Sequence, residues 1–106
     1  MPVTLIETLA DFETALTAAG EKLVVVDFYA VWCGPCKKIA PKIQEWSDEM
    51  KDVVFLKVDV DDNGETAEKY DISAMPTFLL FKNGDKVGDV VGASEAKLKE
   101  KIDSHK

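Results

Sequence analysis

The sequence predicts an α/β protein in which helices flank a central mixed β-sheet, in the order β-α-β-α-β-α-β-β-α, and three features point to it. Residues 23–30 (LVVVDFYA) and 53–60 (VVFLKVDV) are nearly unbroken runs of β-branched, aromatic and aliphatic residues, the composition of strands covered on both faces. A segment of helical apolar spacing separates them, and two strands joined through a helix form a right-handed crossover with parallel strands. Downstream, Asn83-Gly84 lies between two further strand-like runs. That dipeptide is the strongest short hairpin signal, and it adds antiparallel strands to the parallel pair.

Taken in order, residues 3–7 read as a short first strand. Thr8 and Asp11 then have capping-box spacing, and Leu9, Phe12, Leu16 and Ala19 recur at helical intervals up to Gly20, which predicts a helix buried along one face. Residues 23–30 are the central strand. Residues 37–50 return to helical spacing through Ile39, Ile43 and Trp46, although Pro41 lacks a backbone donor and bends that helix. Residues 53–60 are the second buried strand and residues 65–70 a short helix. Residues 77–81 and 86–91 flank the Lys82-Asn83-Gly84-Asp85 turn as an antiparallel pair. Ser94 is a good N-cap for a closing helix whose stripe is Leu98 and Ile102, with lysines toward its negative end. His105 falls in an end expected to fray.

The composition narrows the function. A chain of 106 residues with 46% hydrophobic and 31% charged residues suits one compact domain over 1–106, with no repeat or linker-like stretch to divide it. The net charge of −7, without any block of Lys and Arg, argues against a nucleic-acid partner. Residues 1–10 lack a basic leader followed by an apolar run, and no apolar stretch approaches the ~20 residues that span a bilayer. Two cysteines three positions apart are too few for the disulfide framework of a small secreted domain. The expectation is a cytoplasmic protein with no membrane partner.

Chemistry concentrates in Trp32-Cys33-Gly34-Pro35-Cys36, at the hand-over from the central strand to the Pro41 helix. A helix N-terminus and a neighbouring thiol lower a cysteine pKa from about 8.5 into a range of about 3.5 to 7.5, and the thiolate is the reactive form. Cys33, at the helix edge, is the candidate attacking thiol. Cys36, one turn inward, is the candidate resolving thiol, its proximity giving it a high effective concentration for releasing a mixed disulfide. Three blander readings compete. Zinc lacks its other ligands, since there is no second CxxC and only His105 remains, so no metal is expected. A structural disulfide closing so short a loop removes little unfolded-chain entropy. Two inert core cysteines leave the Gly34-Pro35 pair between them unexplained. Asp27 is the other candidate: an acid within an apolar strand costs several kcal/mol unless it stays neutral, pairs or works, the alternative being a strand end facing water. Lys57, also among apolar neighbours, is its expected partner.

Residues 26–37 (VDFYAVWCGPCK) closely resemble the active-site signature of the thioredoxin family, whose members are themselves reference cases of CxxC pKa depression. Pro41, the strand of residues 55–60, Met75-Pro76-Thr77, Asn83-Gly84 and Gly92 follow as family landmarks in their usual order, so the resemblance spans almost the whole chain. Wording such as Val58-Asp59-Val60-Asp61 is closer to eukaryotic than to typical bacterial members. The resemblance implies a thioredoxin fold and reduction of protein disulfides through Cys33 and Cys36. It implies electrons from NADPH by way of thioredoxin reductase, with no cofactor bound to this chain; a monomer is expected, with the exposed rim around Trp32 leaving a dimer open. It places a cis peptide before Pro76, against the two sulfurs. Backbone groups of Met75 and Thr77 would then receive an extended substrate segment, framed by an apolar rim of Trp32, Ala74 and Gly92. Asp27 would help remove the Cys36 proton, directly or through water. The rival from another class is a binding scaffold of the same fold with dispensable cysteines.

Overall fold

The structure, a computed structural model, describes residues 3–106. Its elements are β1 (Thr4–Leu5), α1 (Leu9–Ala19), β2 (Leu23–Tyr29), α2 (Gly34–Glu49), β3 (Val53–Asp59), α3 (Gly64–Lys69), β4 (Thr77–Lys82), β5 (Asp85–Val91) and α4 (Glu95–His105). The order matches the expectation, and the five strands form one sheet arranged β1-β3-β2-β4-β5. β3 runs parallel to both β1 and β2, whereas β4 is antiparallel to β2 and β5, so the sheet is mixed as the two apolar runs and the hairpin predict.

Strand alternation divides the core into two layers. Leu23 and Val25 of β2 join Val53, Phe55, Phe78 and Leu80 against Ile39, Ile43 and Trp46 of α2 and Leu98 and Ile102 of α4. Val24, Val26 and Phe28 face the opposite way, toward Phe12 of α1 and Ala67 of α3. There Phe12 makes edge-on ring contacts with Tyr70 and Phe81, at centroid separations of 5.4 and 5.6 Å. By the same alternation Asp27 and Tyr29 lie on the α2 face, and this parity places the chemistry beneath that helix.

Local signals set most boundaries. The Thr8 hydroxyl accepts from the Asp11 N–H and caps α1. Asn83 and Gly84 both have positive φ, 54° and 82°, as a two-residue hairpin turn of matching twist requires. The Ser94 hydroxyl caps α4. Some expectations need correction. β1 is only two residues long, although Ile6 is buried and its N–H still donates to the Lys57 carbonyl at 2.9 Å. α2 starts at Gly34 rather than 37, because Pro35 fits a first helical turn, and it runs through Pro41 to Glu49. In α4 the last turn carries His105 rather than gathered lysines. Nor is His105 a loose end: its carbonyl accepts from Lys82 Nζ at 2.9 Å, and its ring packs over Gly88.

One long-range tie is not visible in the sequence. Asn63 is buried; its Oδ1 accepts from the Thr66 N–H at 3.3 Å and the Thr66 hydroxyl at 2.9 Å, capping α3, while Nδ2 donates to the Ile6 carbonyl at 3.1 Å. Replacing it leaves buried partners without a donor or acceptor, which costs the desolvation of those groups as well as the cap. Asn63→Ala is therefore expected to destabilise the protein by about 2 to 3 kcal/mol. Urea titration checks this as a lower midpoint at unchanged slope.

Candidate active site

The reactive pair sits where β2 ends and α2 begins. Cys33 is the N-cap of α2, with extended backbone (φ −83°, ψ 112°), and its Sγ accepts the Cys36 N–H at 3.2 Å. A sulfur thus takes the place of the usual capping oxygen and receives one of the helix's unpaired donors. Cys33 and Cys36 are joined by a disulfide, so the structure is the oxidised state. Both residues are buried, at 6% and 4% exposure, and they pack with Ala30 against Tyr29, Val60 and Met75. The expected difference between an open and a sheltered thiol is hardly visible as exposure; it lies in what surrounds each sulfur. Gly34 and Pro35 between them are exposed, and a β-carbon on Gly34 would meet nothing within 4 Å, so this turn leaves the sulfurs uncrowded.

Cys33 faces the loop before β4. The Met75–Pro76 peptide bond is cis, as the family likeness implied, and Cys33 Sγ lies 3.7 Å from the Met75 carbonyl oxygen. Two bonds pin that loop: the Thr77 hydroxyl donates to the Ala74 carbonyl at 2.6 Å, and the Gly92 N–H donates to the Pro76 carbonyl at 2.8 Å. Gly92 has φ 101°, a conformation that suits glycine. Thr77 is itself buried in the sheet, in register with Phe28 on one side and Val91 on the other. Ala74 is exposed, and Trp32 projects with 66% of its surface exposed. The Trp32 indole N–H donates to an Asp61 carboxylate oxygen at 2.9 Å, a residue that sequence reasoning did not single out. The only signal was the acidic wording after β3, 29 residues away. Val31 and Val91 are further exposed apolar residues, at 62% and 64%.

Cys36 faces inward. It lines a mostly apolar cavity of about 270 Å³ together with Asp27, Tyr29, Lys37 and Lys57. Asp27 is 6% exposed, so it is not a strand end facing water, and its Oδ1 has no hydrogen-bond partner. Burial pushes its carboxyl up from 3.8 to about 7, outweighing the Lys57 charge, which pulls the other way. Lys57 is the register neighbour of Asp27 on β3, as expected of a partner, but no ion pair joins them among the described residues. Also among the described residues, no three His, Cys, Asp or Glu side chains group to hold a metal ion, and no helix is long and apolar enough to cross a membrane.

Comparison with known proteins agrees with this geometry. The family model described as Thioredoxin matches residues 3–104. The chain is similar to the thioredoxin of Geodia cydonium, at 56% identity over 98% of this chain and 99% of that protein. The fold superimposes on the X-ray structure of Fasciola hepatica thioredoxin with a TM-score of 0.97 at 47% identity, covering 98% of this chain and 100% of the other. It also superimposes on reduced Schistosoma mansoni thioredoxin pre-protein with a TM-score of 0.95 at 53% identity, over 100% of both chains.

The burial of Asp27 carries a pH signature. An acid whose pKa is raised on folding holds its proton more tightly in the native than in the unfolded chain between pH 3.8 and about 7. Stability attributable to it therefore falls as pH rises through that window and stays reduced above it. The rise corresponds to a penalty on the order of 4 kcal/mol. Relative to the parent, oxidised Asp27→Asn is expected to gain that much stability between pH 4 and pH 8. Urea unfolding of both proteins across the range measures the difference, and a gap that does not vary with pH contradicts it.

Proposed function

Because the chain belongs to the thioredoxin family, we propose that its catalytic work is divided among Cys33 as attacking thiol, Cys36 as resolving thiol and Asp27 as the acceptor of the Cys36 proton. The protein is a thiol-disulfide oxidoreductase that reduces disulfides in other proteins. Like its family it binds no cofactor of its own; NADPH acts through thioredoxin reductase, which recycles the oxidised pair. No observation favours the scaffold reading.

The observation that carries the division of labour is the contrast between the two sulfurs. Cys33 Sγ receives a helix N-terminal N–H and stands beside the Met75 loop, whereas Cys36 shares a cavity with an unpartnered buried carboxyl. In the dithiol state that N–H and the positive end of α2 favour a Cys33 thiolate. The thiolate attacks one sulfur of a substrate disulfide; the substrate S–S bond breaks, a Cys33–substrate disulfide forms, and the departing substrate thiolate takes up a proton. Asp27, ionised, accepts the Cys36 proton. The Cys36 thiolate then attacks Cys33 Sγ, releasing the second substrate thiolate and closing Cys33–Cys36. Two electrons pass to the substrate, and the oxidised state results.

Substrate would lie across the rim of Trp32, Ala74, Met75 and Gly92, with Pro76 and Thr77 holding the loop in shape and a Met75 backbone group taking an extended segment. Trp32, steadied by Asp61, supplies the apolar area. Gly34 and Pro35 support the turn, and Lys57 tunes Asp27. A single domain over 1–106 working as a monomer fits this small site. Two cysteines confined to the redox pair fit a reducing, cytoplasmic setting, where the chain serves as an electron carrier.

Substitution tests each role. With dithiothreitol as reductant, Cys33→Ser is expected to reduce insulin no faster than dithiothreitol alone. Parental turnover by that variant would sink the catalytic reading. Cys36→Ala should accumulate Cys33 mixed disulfides on nonreducing gels. Asp27→Ala should keep its fold by circular dichroism while releasing product at least about 10-fold more slowly near pH 7. Its deficit should shrink above about pH 8.5, where a free thiol ionises unaided.

A further inference from the structure

Tyr29 sits where it can decide what Lys57 does to Asp27. On the α2 face, Asp27 and Tyr29 of β2 lie beside Lys57 and Asp59 of β3, with Asp27 in register with Lys57 and Tyr29 with Asp59. A lysine in register with a buried aspartate is close enough to bond to it. Here the Lys57 ammonium instead lies 5.8 Å from the centroid of the Tyr29 ring, within cation–π range, and Asp27 Oδ1 is left without a partner. All three side chains line the cavity that reaches Cys36.

We propose that Tyr29 is a positioning residue whose ring holds the Lys57 ammonium off Asp27, leaving the carboxyl free to take and return the Cys36 proton. The inference rests on the reading of Asp27 as that proton acceptor and adds a residue to it. Physically, an ammonium bonded to the carboxylate would fix it as an anion, lowering its pKa by about 1 to 3 units and making it a poor acceptor near neutrality. A cation–π contact competes for the same charge without supplying the carboxylate with a partner. The other groups packed around Asp27 do not substitute for Tyr29. From α2 come Cys36 and the exposed Lys37, from β3 Lys57 and, one pair further on, Asp59, and from β4 the register neighbour Phe78, which is apolar. The phenol itself stays neutral, because burial first and then the carboxylates of Asp59, Asp27 and Asp62 push its pKa up. The ring therefore presents the same face to Lys57 throughout the working pH range.

A ring that merely fills space over Ala30 and the disulfide would have no charge-dependent effect, and this separates the two roles. The measurement is the carbon-13 titration of the Asp27 carboxyl in the oxidised protein, where no thiol titrates alongside it. Tyr29→Phe keeps the ring and is expected to leave the midpoint unchanged. Tyr29→Leu frees Lys57 and is expected to lower it by about one pH unit or more. In a Lys57→Met background, Tyr29→Leu should have no further effect. An unmoved midpoint in Tyr29→Leu overturns the proposal, as does a fall of equal size in Tyr29→Phe. So does a fall that persists without Lys57, which would mean that water had entered. A measurement on the parent alone guards against a leucine variant that does not fold: the Lys57 side-chain methylene protons should be displaced upfield by the Tyr29 ring, and random-coil positions would refute the contact. The titration reads coupling rather than turnover, so full activity in Asp27→Ala would remove Asp27 from the mechanism while leaving the Tyr29–Lys57–Asp27 coupling intact.

Discussion

A carboxyl held without a hydrogen-bond partner behind a pair of cysteines is the constraint on which the rest of the site depends. Burying a carboxylate is costly, and ordinary folding would resolve the cost by pairing it or by turning the strand so that it faces water. Neither occurs at Asp27. Strand alternation points it under α2, two residues after Val25 has pointed into the core layer beneath the same helix. Its nearest cation is engaged elsewhere, and what remains is a group that can hold a proton at neutral pH. In the proposed division of labour, such a group beside Cys36 takes the proton that leaves that thiol before the second step.

The two sulfurs differ through their neighbours more than through their exposure. Position 33 is a helix cap and position 36 is one turn in, so one backbone geometry gives Cys33 Sγ an N–H and the dipole while aiming Cys36 at the cavity. Pro35 fits the first helical turn, so α2 starts at Gly34, and that start makes both environments at once. Met75 completes the Cys33 side, since its carbonyl oxygen is brought to the sulfur by a loop fixed at Thr77, the first residue of β4 on the side of β2 away from β3, and at Gly92, just past the end of β5.

Much of this was legible in the sequence because the deciding signals are local. Thr8, Ser94 and Asn83-Gly84 act through residues next to them, and the apolar runs of β2 and β3 announce burial by composition alone. The position of Asp27 in the second such run's partner strand was visible, and so was its cost. Asn63 and Asp61 were not legible: each acts on a residue far along the chain, Ile6 or Trp32, and a polar residue after a strand looks the same whether or not it has such a partner. The start of α2 was misplaced for a related reason. Glycine and proline read as a turn, whereas a sulfur cap and a proline in the first turn make them helical. In the sequence Tyr29 is one more aromatic residue of a strand run; its relation to Lys57 appears only when β2 and β3 are laid in register.

The layered core explains why such a site can be tuned without endangering the fold. Phe12, Phe28 and Phe81 lie in the layer facing α1 and α3, on the far side of the sheet from the cysteines, and Trp46, Leu98 and Ile102 fill the near layer away from the N-terminus of α2. The sulfurs and Ala30 form a separate small cluster at the end of β2. Forming or breaking one bond between Cys33 and Cys36 therefore rearranges groups at an edge of the core. The strained electrostatics of Asp27 are borne by packing that does not take part in the chemistry, so the sheet can hold an unfavourable carboxyl in place through both redox states.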